Sequence, residues 1–199
     1  MNKVNVSHLV LASASPRRKQ LLEQLGWEVE TYAVDIDESP LKNEAADMYC
    51  LRMAQEKAMA ARQLIQTNSP VITADTIVVF NGNILGKPKD ASDALRMLKK
   101  LSGQTHQVFS AVAVTYGENM EYAISRNTVK FVQVNEAILK AYIDTEEPMD
   151  KAGAYAIQGK AAMWINHIEG SYSSIMGLPL FETTQLLSKL DIISPLGVL

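Results

Sequence analysis

Four groups of residues in this chain have types and spacing that could do chemistry. Ser13-Ala14-Ser15-Pro16-Arg17-Arg18 lies between a strand pattern and a helix pattern. A helix start presents free N–H groups and partial positive charge, so two arginines in its first turn are locally unfavourable. They become sensible where an anion sits, because backbone donors, the Ser15 hydroxyl and guanidinium forks all suit phosphate. Two solvated surface arginines are the plain alternative. The second group is Asp75, inside Val71-Ile72-Thr73-Ala74-Asp75-Thr76-Ile77-Val78-Val79. An ionised carboxylate among strand-forming apolar residues needs a cation, a metal or hydrogen bonds. It suits binding a divalent metal or poising a water molecule. An ordinary buried aspartate satisfied by a nearby turn is the competing reading, and the rarity of unpartnered buried aspartates weighs against it.

The third group is cationic and acidic loop residues. Lys57 lies on the flank of a helical stripe, and Lys87 and Lys89 straddle Pro88, which stiffens their loop as a phosphate-contacting loop requires. A solvated loop explains either of these last two lysines taken singly. Glu38 belongs to the acidic run Asp35-Ile36-Asp37-Glu38; such runs are usually exposed loops, although paired carboxylates also hold magnesium. The fourth group is Met149-Asp150-Lys151-Ala152-Gly153-Ala154-Tyr155-Ala156-Ile157-Gln158-Gly159, where two glycines allow close backbone approach and Gln158 offers both a donor and an acceptor. That combination suits the edge of a nucleobase, and equally a structural turn. His106 and His167 sit in strand-like surroundings with no sequence partner and read as packed or exposed residues. Together the groups put cations and carboxylates on several loops, as binding a nucleoside phosphate and a metal requires.

The elements that must position them alternate between strand and helix periods, which predicts a single α/β domain. A strand is expected over 8–12, then a helix capped by Ser15, opened by Pro16 and closed by Gly26, with Leu21, Leu22 and Leu25 buried. A longer helix should follow Asn43, its stripe formed by Leu51, Ala54, Ala58, Ala61 and Ile65. Pro70 precedes a strand over 71–80, and Asn81-Gly82 signals a hairpin into Ile84-Leu85. Asp90 caps a helix carrying Leu95, Leu98 and Leu101 and ended by Gly103. Strands over 108–114 and 124–132, a helix over 136–144, a Gly-punctuated loop, a strand over 163–168 and a last helix from Leu178-Pro179 complete the order.

Composition limits the function classes. The chain has 199 residues, 47% of them hydrophobic, enough for a core without staples. Lys plus Arg number 19 against 22 Asp plus Glu, a net charge of −3 that argues against stable nucleic-acid binding. One cysteine, Cys50, gives no disulfide framework and points to a reducing, cytoplasmic setting. No apolar run approaches the ~20 residues of a membrane span. The N-terminal stretch mimics a signal peptide only weakly, since Asn5, Ser7 and His8 interrupt it, and is expected to be part of the fold.

Along nearly its whole length the chain resembles Maf-family nucleotide pyrophosphatases. The resemblance is carried by LASASPRRKQLLEQLG, RMAQEKA, ADTIVVFNGNILGKPKDASDA, LSGQTHQVFSAVAV, EPMDKAGAYAIQG and GSYSSIMGLPL. It implies a mixed twisted sheet flanked by helices, in two lobes around a cleft as in ITPase-like proteins, often as a homodimer. It also implies hydrolysis of a nucleoside triphosphate to monophosphate and pyrophosphate with a divalent cation, Mg2+ or Mn2+. The branch acting on dTTP and UTP carries the residue types found here at Arg17, Thr76 and Gln158, where the 7-methyl-GTP branch tends to have Trp, Gln and Glu. By the same matching Asp75 is the proton acceptor, and Glu38, Lys57 and Lys87 fall on polar cleft positions. Ala14, where relatives often have Gly or Thr, is a minor departure. The mechanism expected from both readings places the triphosphate against Ser15, Arg17 and Arg18, with Lys57 and Lys87 spreading its charge and the metal held partly by Glu38 or Asp75. The alternatives are a 7-methyl-GTP pyrophosphatase of the same family, or a non-catalytic, nucleotide-binding regulator of septum formation.

Overall fold

An apolar run such as 71–80 is stable only when covered on both faces, and the structure buries it as the centre of a mixed sheet. In this computed structural model, residues 4–197 are described. The chain order is β1 (Val4–Asn5), β2 (His8–Leu11), α1 (Pro16–Glu23), β3 (Glu28–Thr31), α2 (Ala46–Leu64), β4 (Val71–Phe80), β5 (Asn83–Leu85), α3 (Ala91–Leu101), β6 (Thr105–Tyr116), β7 (Asn119–Phe131), α4 (Glu136–Ile143), β8 (Ile165–Glu169), α5 (Tyr172–Met176), α6 (Leu180–Lys189) and β9 (Ile192–Ile193). Two short 3-10 turns, Ala152–Ala154 and Lys160–Trp164, precede β8. The main sheet runs β3-β2-β4-β6-β7-β8, with β5 pairing on β4. β3, β2 and β4 are parallel, whereas β5 and β8 pair antiparallel, so the architecture is mixed α/β. β1 and β9 form a separate parallel pair.

Two compact units divide the chain. The first takes residues up to 75, 110–125 and those from 177 onward; the second takes 76–109 and 126–176. In the first, Leu9, Val10 and Leu11 of β2 are each fully buried, and Val10 packs in one cluster with Ala61 of the α2 stripe of Cys50, Met53, Ala54, Ala58 and Ala61. The small residues of that stripe let helix and strand approach closely, and the Thr73 hydroxyl donates to the Ala54 carbonyl at 2.7 Å, fixing β4 against α2. Leu51 and Ile65, expected in the stripe, are only half-buried, and Met53 and Tyr49 take their share. Leu25 is likewise half-buried, because α1 stops at Glu23 and the chain turns at Gly26, whose φ is +87°.

The second unit packs α3, α4 and the 3-10 turns on an aromatic core. Phe131, Tyr155, Trp164 and Tyr142 meet edge-on, with ring centroids 4.9 Å apart for Phe131–Tyr155 and 5.0 Å for Tyr142–Trp164. Asn81 and Gly82, with φ of 49° and 75°, make the two-residue turn between β4 and β5 that the Asn-Gly pair predicts. Asp90 caps α3 by accepting from the Asp93 N–H at 2.8 Å, and Asn135 caps α4 in the same way. Several elements depart from the sequence reading. β3 and the β1–β9 pair were not expected, being short with mostly polar or isolated residues. α5 occupies a Gly- and Ser-rich stretch that reads as loop. No helix among the described residues is long and apolar enough to cross a membrane.

His106 is buried, as its strand surroundings suggest, but it has a partner: its Nε2 lies 2.8 Å from the Tyr155 hydroxyl, and its ring packs edge-on against Phe131. Burial pushes its pKa down to about 4 from an ordinary 6.5. The unfolded chain therefore binds a proton between those values that the folded chain refuses, so stability falls as pH drops through this window. The full effect is about 3 kcal/mol. Thermal denaturation between pH 7.5 and pH 4.5 should show a smaller loss of Tm for His106→Gln than for the wild type; equal losses would remove His106 from the acid response.

Candidate active site

The start of α1 is shaped by a serine that does not cap. Ser15 occupies the N-cap position with φ −74° and ψ 112°, yet its side chain makes no capping bond. Instead the Ser13 hydroxyl oxygen accepts from the Ser15 N–H at 3.2 Å and from Arg18 Nη1 at 3.1 Å. Arg18 Nε donates to the Gly177 carbonyl at 2.8 Å. Gly177 has φ +126°, a backbone conformation that side chains rarely adopt, so the turn that aims this carbonyl depends on glycine. Desolvation lowers the pKa of Arg18, against the opposing pull of the Asp75 carboxylate and, more weakly, of Glu38. Arg17, the next residue toward the helix start, is half-buried.

The centre of the first unit's polar cluster is Lys57. Its Nζ lies 2.8 Å from Asp75 Oδ1 and 2.7 Å from Glu38 Oε1. The Lys57 and Asp75 side chains are 12% and 13% exposed, while that of Glu38 is 57% exposed. A strand-embedded carboxylate thus meets its cation from α2, and a loop carboxylate closes on the same ammonium from the solvent side. Desolvation works against the Lys57 charge, but the two carboxylates outweigh it and hold the pKa above the ordinary lysine range. Cys50 Sγ donates to the Asp75 backbone carbonyl at 3.5 Å. Burial first, and the Asp75 charge second, push that thiol up to about 12, so it is a protonated donor and not a nucleophile.

The loop carrying Glu38 is clamped to α2 by residues the sequence reading passed over. The Tyr49 hydroxyl donates to the Glu38 carbonyl at 2.9 Å. Arg52 forks onto Glu44, with Nε and Nη2 at 2.6 and 2.7 Å from its two oxygens, and Nη2 also donates to the Ser39 carbonyl at 3.1 Å. Arg52 further stacks over the Tyr49 ring at 5.5 Å and pairs with Glu56. The Arg52–Glu56 spacing of i,i+4 was the visible signal, but that spacing ordinarily marks a solvated helix face. The fork on Glu44 is a tertiary contact that no local pattern announces.

The structure therefore brings Arg18, Glu38, Lys57 and Asp75 into one electrostatic neighbourhood of the first unit. Thr76, Lys87 and Gln158 belong to the second unit. Thr76 directly follows Asp75 in β4 and is half-buried, Lys87 is exposed beside buried Pro88, and Gln158 is exposed on a turn closed by the Gly159 N–H donating to the Ala156 carbonyl at 3.1 Å. His167 is exposed on β8.

Among the described residues no group of three or more His, Cys, Asp or Glu side chains stands ready to hold a metal ion by itself. The donor set still fits a hard cation of the magnesium kind, which takes one or two carboxylates and completes its shell with substrate phosphates and water. Glu38 and Asp75, both within 2.8 Å of Lys57 Nζ, are carboxylates of that kind.

A family model described as "Maf-like protein" matches residues 8–190. A dTTP/UTP pyrophosphatase of Pseudoalteromonas atlantica is 46% identical over 187 residues, covering 92% of this chain and 97% of that protein. A dTTP/UTP pyrophosphatase of Shewanella frigidimarina is 49% identical over 186 residues, 90% of this chain and 95% of its own. A nucleoside triphosphate pyrophosphatase of Haemophilus ducreyi is 48% identical over 188 residues, 92% and 95% respectively.

Removing Lys57 leaves the Asp75 carboxylate desolvated without its cation. Lys57→Met should destabilise the protein by about 3 kcal/mol, read from urea denaturation. Adding Asp75→Asn to that variant should recover a substantial part of the loss, since the stranded charge is gone; strictly additive losses would mean the pair is not coupled in the folded state.

Proposed function

The chain belongs to the Maf family, and from that premise we propose that it is a phosphoric-anhydride hydrolase converting dTTP and UTP to the nucleoside monophosphate and pyrophosphate. The observation that carries the reading is the Lys57 ammonium gripped between Asp75 and Glu38, beside an arginine-bearing helix start. A pure binding site for a triphosphate has no need of a carboxylate embedded in a strand, because that charge repels the ligand. A hydrolase does need one, to take a proton from water.

In this reaction the triphosphate lies against the start of α1. Arg18, fixed by Ser13 and Gly177, presents an oriented positive charge there, and Ser15 and Arg17 add a hydroxyl and a second guanidinium. Lys57 and Lys87 distribute positive charge along the phosphates. Glu38 is the carboxylate that would hold a divalent cation, Mg2+ or Mn2+, which supplies charge neutralisation on phosphate oxygens when bound. Asp75, kept in place by Lys57, accepts a proton from water as the water oxygen bonds to the α-phosphorus. The bond from that phosphorus to the bridging oxygen breaks, and pyrophosphate leaves with the bridging oxygen. Gln158 and Thr76, with Arg17, read the carbonyl and imide edge of the pyrimidine, an assignment supported by their match to the residue types of the dTTP/UTP branch. The buried Cys50 thiol suits a reducing cytoplasm.

Pyrophosphate release from dTTP, UTP, CTP, GTP, ATP and 7-methyl-GTP, with magnesium or manganese, tests this reading. Turnover of dTTP and UTP is expected, and Asp75→Asn should lower kcat by about 10²-fold or more. Gln158→Glu should reduce kcat/KM for dTTP and UTP by at least about tenfold, since an imide-edge partner is exchanged for a charge. Turnover confined to 7-methyl-GTP would overturn the base assignment, and an active Asp75→Asn would overturn the mechanism.

A further inference from the structure

Gln158 is exposed, and a side chain at the tip of a turn has no packing of its own to fix it. What fixes the turn is Glu147, eleven residues earlier. Its carboxylate accepts from the Lys160 N–H, with Oε1 at 3.0 Å and Oε2 at 3.3 Å. The Tyr142 hydroxyl accepts from the Ala156 N–H at 3.2 Å, and the Glu147 charge helps, after burial, to hold that hydroxyl's pKa above the ordinary tyrosine value. The backbone on both sides of Gln158 is thereby tied to one pair of side chains. Glu147 is itself 19% exposed at its side chain, and the Lys151 ammonium donates to its backbone carbonyl at 2.8 Å.

Gly159 completes the arrangement. Its φ of −103° is open to any residue, so backbone strain does not call for glycine here. Space does: a Cβ on Gly159 would lie 2.0 Å from Glu147 Oε1 and 2.4 Å from Cδ. The carboxylate occupies the volume that a side chain at 159 would need, so Glu147 and the missing side chain form one fitted contact. An apolar residue at 147 would fill space without holding the Lys160 N–H, and a shorter polar one would not reach it.

We propose that Glu147, seated against Gly159, is a positioning residue for base selection: it moulds the 156–160 turn so that the Gln158 amide meets a pyrimidine carbonyl edge. The inference rests on the proposed reaction and on the role given there to Gln158. A pyrimidine whose edge carries an amino group instead of a carbonyl reverses the donor and acceptor pattern, so the quality of the turn is read in the ratio of kcat/KM for dTTP over CTP.

The test measures that ratio, KM and kcat for the wild type, E147Q, E147A, G159A and E147A/G159A, with hydrogen exchange at the Lys160 amide. E147A should raise KM for dTTP about tenfold with kcat changed less than threefold, narrow the dTTP to CTP ratio about tenfold, and speed Lys160 exchange at least tenfold. E147Q keeps an acceptor oxygen and should stay within about threefold of wild type in all three. G159A should behave like E147A, and the double variant should be no worse than E147A alone, because the clash partner is gone. An E147A enzyme with an unchanged ratio, or equal falls in kcat on both substrates, would reduce Glu147 to a structural role and overturn the inference. So would unchanged Lys160 exchange, or additive losses in the double variant. Wild-type protein inert toward dTTP and UTP would overturn the functional reading and this inference with it, whereas an active wild type with an unmoved ratio overturns the inference alone.

Discussion

The Lys57 ammonium between Asp75 and Glu38 is the interaction on which the first unit's site depends. An ionised carboxylate in an apolar strand is unstable by itself, and so is a lysine on the buried side of a helix. Each becomes tolerable because the other is within 2.8 Å. The contact requires α2 and β4 to lie close together, which the Ala54, Ala58 and Ala61 stripe and the Thr73 bond to Ala54 permit. Small residues in this helix are thus what lets two charges meet in a poorly solvated place.

Around that pair the chain spends several polar side chains on rigidity. Tyr49 and Arg52 hold the Glu38 loop to α2, and Ser13 and Gly177 hold Arg18. These contacts join segments distant in sequence, which is how loops acquire a defined geometry without regular secondary structure. Preorganised charge of this kind is effective in phosphoryl chemistry because little reorganisation is needed when negative charge moves from one oxygen to another. The second unit follows the same rule, with its turns tied to Tyr142 and Glu147 and its core closed by edge-on aromatic rings.

The elements legible in the sequence were those whose signals are local. The 71–80 run, the Asn81-Gly82 turn and the Asp90 cap appear where their chemistry placed them, because burial, positive φ and N-capping are decided within a few residues. β3, α5 and the β1–β9 pair were not legible, since short polar segments become strand or helix only through their neighbours. The same division holds for the polar cluster. Asp75 announced itself as a carboxylate in an apolar strand, and Lys57 as a cation on the flank of a stripe. That Lys57 is the cation Asp75 demands, with Glu38 on the same nitrogen, could not be read from spacing. Arg52, Glu44 and Glu147 were silent for the same reason: each looks like a surface charge until the segment it grips is in place.

In the proposed reaction water, its proton taken by Asp75, attacks the α-phosphorus of a pyrimidine triphosphate. Hydrolysis of dTTP in water enriched in oxygen-18, followed by mass spectrometry of both products, tests it most directly. One heavy oxygen in dTMP and none in pyrophosphate is the expected result. Label in pyrophosphate, or release of orthophosphate in place of pyrophosphate, would contradict it, because either result moves the attack to a different phosphorus.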